Sequence, residues 1–201
     1  MVDRLKLEFP TLGRKNDALD FLREFEEEEV HPYGTNHLYT ITKEYGEFKS
    51  YEEWLASCEK DSKVPIENWQ GRGLPCRIYF LVRECDNRIV GMIDIRLRLN
   101  DRYWNDGGNI GYCIRRSERR KGYNKVNLYL ALKVCHEHGV EAVILGCEKD
   151  NLGSSRTMRA LGGRLLREDW SWRYNAMYQF FVIDVAEAVT KYSDEYKDKI
   201  Y

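Results

Sequence analysis

No two of the six cysteines (Cys58, Cys76, Cys85, Cys113, Cys135, Cys147) stand in a CxxC pair. That argues against a zinc ribbon or a dithiol redox motif; reduced thiols, mostly within apolar segments, are the expectation. Histidine is scarce, at four residues. His136 and His138 are two apart on a predicted helix and do not face each other, and His31 and His37 have no ligand set beside them, so no metal site is expected. No stretch reaches the roughly 20 apolar residues of a membrane helix, and the opening "MVDRLKLEFPTLGRKND" has no apolar run of signal-peptide length. A cytoplasmic protein without membrane contact is expected. An excess of one charge is also missing. Lys plus Arg number 32 and Asp plus Glu 33, a formal net charge of −1, which disfavours a nucleic-acid partner. Neither GxxxxGK[ST] nor GxGxxG occurs, so the two common phosphate-binding fingerprints are absent.

What remains is a chain of 201 residues with 43% hydrophobic residues, enough for one substantial core. "LKLEFPT" reads as a first strand. "NDALDFLREFEEEEV" reads as a helix with Leu19, Phe21, Leu22 and Phe25 on its apolar face and Asn16 or Asp17 as cap; its acidic run Glu26–Glu29 reads as a solvated end. "SYEEWLASCEK" opens with a capping signature at Ser50. In "PCRIYFLVREC", Ile78, Phe80 and Val82 alternate with Tyr79, Leu81 and Arg83, which is strand period. After a turn at Asp86–Asn87, "DNRIVGMIDIRLRLN" puts Ile89, Ile93, Ile95, Leu97 and Leu99 on one face. Asp94, Arg96, Arg98 and Asn100 take the other, which is expected to meet water or a cleft. "NDGGNIGYCIR" is a further strand. "KVNLYLALKVCHEHG" is a helix stopped by Gly139. "EAVILGCEKD" is a buried strand, "LGSSRTMRALGG" a short helix, and "GRLLREDWSW" and "YNAMYQFFVIDV" the last strands. The order predicts a mixed α/β layer arrangement with a strand–helix–strand crossover.

Between the fourth strand and the central helix lies "SERRKGYN". Arg115, Arg116, Arg119, Arg120, Lys121 and Lys125 put six cations within eleven residues, opposed only by Glu118. A helix N-terminus has unpaired N–H groups and a positive dipole end, and Gly122 allows backbone conformations closed to other residues. The segment reads either as a cradle for phosphate or pyrophosphate or as a solvated basic turn.

"IGYCIRRSERRKGYN" resembles motif A of the GNAT superfamily of acetyl-CoA-dependent N-acyltransferases: Arg or Gln, two residues, Gly, one residue, then Gly or Ala. Here the run is Arg119, Arg120, Lys121, Gly122, Tyr123 and Asn124. "CEKDNLGSSRTMRALGG" resembles motif B, with Asn151 after the fifth strand and a helix ending at Gly162–Gly163. The resemblance covers roughly residues 75 to 183 and is most similar to a bacterial group of predicted acetyltransferases. It implies an α/β (mixed α+β) fold with a central twisted, mixed sheet of six to seven strands flanked by helices, the fourth and fifth strands splayed. The first 70 residues match only the general pattern of a strand and two helices, and the expectation is one N-acetyltransferase domain over residues 1–185; the Tyr-rich polar segment over 186–201 reads as a helical tail. Acetyl-CoA would be the cosubstrate, with its pyrophosphate on the amides of Arg120 to Asn124. Its pantetheine arm would lie along the strand holding Tyr112, Cys113 and Ile114, opposite Leu145 and Cys147. A main-chain N–H near Ile114 would polarise the thioester carbonyl, and Asn151 would contact the arm or an ordered water. The amine, on a small molecule or a protein, would attack directly, so Cys113 and Cys147 need not be nucleophiles. Asn124 stands where Gly or Ala is usual and is expected to cap the helix beginning near Lys125. Arg116 stands where proline is common.

Direct attack needs a neutral amine. The family's usual carboxylate position holds Gly108 and Asn109, and its usual tyrosine position holds Met158. Asp94 is therefore a candidate base or amine anchor, with a surface ion pair to Arg96 as the alternative. Glu148 is a second candidate base, and Tyr178 a candidate acid or a core residue. Trp170, Trp172 and Tyr174 are read as packing on the sheet, with pocket lining or a homodimer contact as alternatives. Two other readings stay open: an inactive coenzyme A-binding module and a basic-patch nucleic-acid binder.

Overall fold

The structure, a computed structural model, describes residues 3–28, 31–64 and 74–201. Among the described residues, seven strands form two antiparallel ladders. In the first, β1 (Leu5–Glu8), β2 (Arg77–Arg83), β3 (Ile89–Ile95) and β4 (Ile110–Ile114) lie in the order β1-β2-β3-β4. In the second, β5 (Ala142–Glu148), β6 (Arg164–Ser171) and β7 (Ala176–Asp184) lie in the order β5-β7-β6. Helices α1 (Lys15–Glu26) and α2 (Tyr51–Lys63) precede β2, and a short α3 (Asp101–Asn105) precedes β4. Helices α4 (Tyr123–Glu137) and α5 (Leu152–Ala160) flank β5, and α6 (Val185–Lys191) and α7 (Ser193–Tyr196) follow β7.

Alternation along β2 sorts the core into two layers. Ile78, Phe80 and Val82 join Phe21, Leu22, Phe25 and Trp54 of α1 and α2. Leu81 faces the other way, into a layer with Val126, Tyr129 and Leu132 of α4. Burying one Leu- or Phe-sized side chain contributes about 1.5–3 kcal/mol, so each layer alone is a substantial part of the folding drive. Ser50 caps α2 as its sequence suggests, accepting from Glu53 N at 3.2 Å. Helix α1 differs: it starts at Lys15, and Asn16 and Asp17 lie inside its first turn. The Asp17 carboxylate accepts from Arg14 at 3.0 Å and does not cap.

Two expectations for β3 are corrected. Its residues are all buried, so the face with Asp94 is not open to water. Helices α1 and α2 cover that side, and Asp94 is only 3% exposed. Ile89 also does not share a face with Ile93 and Ile95. Leu81 pairs with Gly91 and Val82 with Ile89, which leaves Val90 as an extra residue. Such a bulge flips every side chain before it to the opposite face, and Ile89 enters the α1–α2 layer. Trp170 and Trp172 do not pack on the sheet either. They are 43% and 88% exposed and meet each other edge to face, because β6 is an edge strand and Trp172 sits in the turn after it.

The chain after Val185 continues into the α4 layer. Tyr196 is buried and stacks on Tyr129 at 4.7 Å. Beyond α7, Ile200 bridges Leu5 in parallel and lengthens the sheet edge at β1. All six cysteines are free; Cys85 is exposed and Cys113 half-buried.

Candidate active site

The two ladders meet at one point. Gly108 bridges Leu145, Asn109 N donates to Ile144 O at 2.6 Å, and Gly146 N donates to Gly107 O at 3.3 Å. The Asn109 side chain completes the joint: its Oδ1 accepts from Ile144 N at 2.8 Å and its Nδ2 donates to Arg96 O at 2.8 Å. A buried asparagine at the start of β4 thus serves as a side-chain rung between the ladders. Beyond it, β4 forms no ladder with β5.

Pairing parity shows what this leaves open. Arg96 N donates to Asn109 O and Arg115 N to Val90 O, so odd-numbered residues of β4 turn their N–H and C=O toward β3. The even-numbered ones turn theirs away. Tyr112 and Ile114 therefore direct main-chain groups into the gap beside β5. The Ile114 carbonyl is taken by Arg119 Nε at 3.2 Å, which leaves its N–H and both main-chain groups of Tyr112. An extended ligand arm can add there as a strand would.

At the end of β4 the chain turns into α4 through Arg120 and Gly122, both left-handed (φ 69° and 83°). Left-handed residues within such a turn curl successive amides into a concavity that binds anions. Among the described residues, the N–H groups of Arg120, Lys121, Gly122, Tyr123 and Asn124 have no partner in the protein. A Cβ placed on Gly122 meets nothing within 4 Å, so the space beside Gly122 is open. The positive end of the 15-residue helix α4 adds its dipole there.

The cations of the loop have a different job from the one their sequence suggests. Asp20, Glu24 and Glu28 recur every four residues and form one stripe along α1 and the turn after it. Arg115 pairs with Asp20 at 3.1 Å and Glu24 at 3.3 Å, and Arg119 makes two bonds to Glu28 at 3.0 and 2.8 Å. Arg116 reaches Glu28 at 3.4 Å. Within the acidic run at the end of α1 only Glu28 is a counter-charge of this loop; Glu26 and Glu27 are exposed, as a solvated end would be, and Glu29 lies outside the described residues. Glu118, 3% exposed, accepts from Lys121 and Arg83 at 2.7 Å and Arg88 at 3.2 Å. Burial alone would raise its carboxyl, but the hydrogen bonds and charges of Lys121 and Arg83 outweigh it and hold the group below the usual range. Among the described residues, Arg120 and Lys125 form no ion pair, so they are the cations left for a ligand.

Asn124 is the second residue of α4 and not its cap; Gly122 holds the cap position. Helix α4 begins two residues earlier than expected because Gly122, already left-handed, turns the chain directly into it. The Asn124 side chain points at α5, with Nδ2 3.5 Å from Thr157 Oγ1 and Oδ1 buried without a partner. Tyr112 reaches across to α5 as well, its hydroxyl 2.7 Å from Ser154 Oγ. Asn151 caps α5 through a 3.0 Å bond from Ser154 N. The starts of α4 and α5 thus border the gap between β4 and β5.

Of the acid–base candidates, Asp94 is brought into the frame of the site and not its opening. Its Oδ1 accepts from Gly111 N at 2.9 Å and its Oδ2 from Arg96 at 2.9 Å. Glu148, exposed at the end of β5, pairs in register with Tyr178. The Tyr178 hydroxyl lies 3.4 Å from that of Tyr33, a residue of the α1–α2 loop. That loop is pinned by Trp54 Nε1, which donates to Thr35 O at 3.2 Å and Asn36 O at 3.1 Å. Gly34 rests on β4, where a Cβ would come within 2.5 Å of Gly111 O, so only glycine lets the loop sit there. Tyr33 had no sequence signal beyond its loop position. Burial pushes the Cys113 thiol well above its ordinary value and Cys147 up to about 11. Such thiols stay protonated at neutral pH and are poor nucleophiles. Met158 is buried in the α4 layer.

A splayed pair of strands beside a helix start with unpaired amides defines an acyl-thioester-binding acyltransferase fold. The family model for the acetyltransferase (GNAT) domain matches residues 4–164, so the chain belongs to the GNAT acetyltransferase family. No curated protein sequence matches closely enough to show a relative. Solved structures do. A GNAT-family acetyltransferase from Bacillus anthracis is 15% identical, with TM-score 0.58, covering 93% of this chain and 98% of that one. The microcin self-immunity acetyltransferase MccE, solved with acetyl-CoA and AMP, is 14% identical, with TM-score 0.61, covering 90% and 92%. Mutant forms of the spermidine/spermine N-acetyltransferase SpeG from Vibrio cholerae are 10% identical, with TM-score 0.61, covering 94% and 99%. At these identities the likeness shows the fold.

Proposed function

We propose that this acyltransferase moves an acetyl group from acetyl-CoA to a primary amine by direct attack within a ternary complex. The observation that carries the reading is the run of five unpartnered amides from Arg120 to Asn124, with open space at Gly122, near an unpaired strand edge. The diphosphate of coenzyme A sits on those amides, with Arg120 and Lys125 supplying charge. The pantetheine arm runs along Tyr112, Cys113 and Ile114 toward β5, and the Asn124 carbonyl oxygen and Asn151 lie at its flank. The Ile114 N–H, aimed into the gap, donates to the thioester carbonyl and stabilises the oxyanion that forms on attack.

The acceptor enters from the side of the α1–α2 loop, where Glu148 and Tyr178 stand at the end of the gap. Glu148 attracts the ammonium form of the amine and takes the proton it must lose. Asp94 holds β4 in place through Gly111 and takes no proton. The polyamine acceptors named for SpeG make spermidine a first acceptor to try. Thermal shift with acetyl-CoA, followed by thiol release over amines, polyamines, amino acids and peptides, tests the reading. A stabilising shift with thiol release is expected. Tight coenzyme binding without release for any amine would favour the inactive module, a reading that Asn109 and Met158 at the family's usual acid–base positions support.

A further inference from the structure

We infer that Tyr33 delivers the proton to the leaving thiolate, with Tyr178 behind it as its proton source; the assignment rests on the transferase reading above. Three observations place the pair. Gly34 is seated on β4 at Gly111 and Tyr112, which sets Tyr33 beside the strand edge where the thioester lies. Tyr178 faces it from β7, next to the end of β5. The two hydroxyls, 3.4 Å apart, therefore approach one another from opposite sides of the gap. Tyr33 is 38% exposed and Tyr178 only 4%, so Tyr33 is the member a substrate can touch.

The surroundings keep both phenols protonated. Burial raises each of them. Their mutual hydrogen bond raises Tyr178 further and opposes the rise at Tyr33; Glu148 and the stacked Tyr174 add to the rise at both, and Arg173 opposes it at Tyr33. His31 packs edge to face on the Tyr33 ring at 5.1 Å. A protonated phenol is a donor, which is what a departing thiolate needs. When the tetrahedral intermediate collapses, the C–S bond breaks and its electron pair goes to sulfur. The Tyr33 proton joins that sulfur to give free coenzyme A. Tyr178 passes its proton to the Tyr33 phenolate, and the proton lost by the amine returns to Tyr178 through Glu148 and water. One proton leaves nitrogen and one reaches sulfur, so the charge balances.

The test is steady-state kinetics of Tyr33→Phe, Tyr178→Phe, the double variant and Tyr174→Phe. Spermidine, butylamine and glycine ethyl ester serve as acceptors, and the acetyl-CoA thermal shift is recorded alongside. Positioned proton donors contribute about 10²–10⁴-fold. The expected result is a fall in kcat of about 100-fold or more in each single variant at Tyr33 and Tyr178. The KM for acetyl-CoA and the thermal shift stay at the wild-type value. The double variant is no slower than the worse single one, since both residues serve one proton path. Tyr174→Phe, which keeps the stacked ring, retains kcat. A Tyr33→Phe enzyme with wild-type kcat overturns the assignment and leaves the transferase reading intact. A wild-type chain that binds acetyl-CoA but releases no thiol with these amines overturns both.

Discussion

Two glycines at opposite ends of α4 separate the cost of folding from the cost of binding. Gly122 and Gly139 are both left-handed, at φ 83° and 70°, and a Cβ on either meets nothing within 4 Å. They stand 17 positions apart, about 25 Å along a helix at 1.5 Å per residue. Any other residue in that conformation costs about 1–2 kcal/mol, which lowers Tm by roughly 2–8 °C for a chain of this length. The backbone cost is similar at both sites, and the α4 dipole favours the added carboxylate at Gly122 and disfavours it at Gly139 by about 0.3–1 kcal/mol each. Acetyl-CoA separates them. At a concentration 100 times Kd it stabilises the wild type by about 2.7 kcal/mol, a rise of roughly 5–10 °C. Gly122→Asp puts a carboxylate where the diphosphate belongs and displaces about two charge-assisted hydrogen bonds, each about 1.5–3 kcal/mol. Kd then rises roughly 10²–10⁴-fold. At the same ligand concentration about 0.4 kcal/mol or less remains, a shift of about 1 °C. Gly139→Asp keeps the full shift. The assay is differential scanning fluorimetry with and without acetyl-CoA, with Kd from calorimetry. Equal ligand shifts in the two variants would refute the placement of the diphosphate on the α4 amides.

Asp94→Ala should cost about 3–5 kcal/mol in urea unfolding, because it leaves the buried Arg96 guanidinium uncompensated. Asp94→Asn keeps an acceptor for Gly111 and should keep the wild-type pH profile of kcat; a lost acid limb would restore Asp94 as the base. Glu118 has its carboxyl held low in the fold, so its stabilising contribution is present at neutral pH and disappears as pH falls from the ordinary carboxylate range through the lowered value. Glu118→Gln should lower stability at pH 7 and flatten the acid limb of stability against pH, and an unaltered limb would count against the cluster with Arg83, Arg88 and Lys121. Arg120→Ala and Lys125→Ala should each weaken acetyl-CoA binding several-fold at low salt and less at high salt, whereas Arg116→Ala should change it little. The reverse order would mean that the α1 stripe does not hold Arg116.

Much of this architecture could be read from local spacing. The two-residue period of Ile78, Phe80 and Val82, the apolar recurrence from Val126 to Cys135 and the stop at Gly139 each depend on neighbours within one element. Motif A located Gly122 because a left-handed turn before a helix demands glycine. The rest depends on partners distant in sequence. The bulge at Val90 exists only in relation to Leu81 and Val82. The stripe Asp20, Glu24 and Glu28 was visible as a four-residue repeat, but its partners lie some 90 residues later, and a surplus of loop cations then reads as free for phosphate. Asp94 alternates correctly for a polar face, yet that face is covered by α1 and α2. Tyr33 meets Tyr178 across 145 positions, and no spacing rule connects them. Asn109, a rung between two ladders, was read only as a missing carboxylate.

The most direct measurement is a crystal structure of the chain with acetyl-CoA. The account predicts diphosphate oxygens within hydrogen-bond distance of the amides from Lys121 to Asn124, and the thioester carbonyl on the Ile114 N–H, between β4 and β5. A coenzyme lodged elsewhere contradicts it. A coenzyme held in the cavity of about 240 Å³ that Lys121, Gly122, Tyr123 and Lys125 share with Asp3, Glu195 and Lys199, with the β4 edge left bare, would contradict the placement of the pantetheine arm.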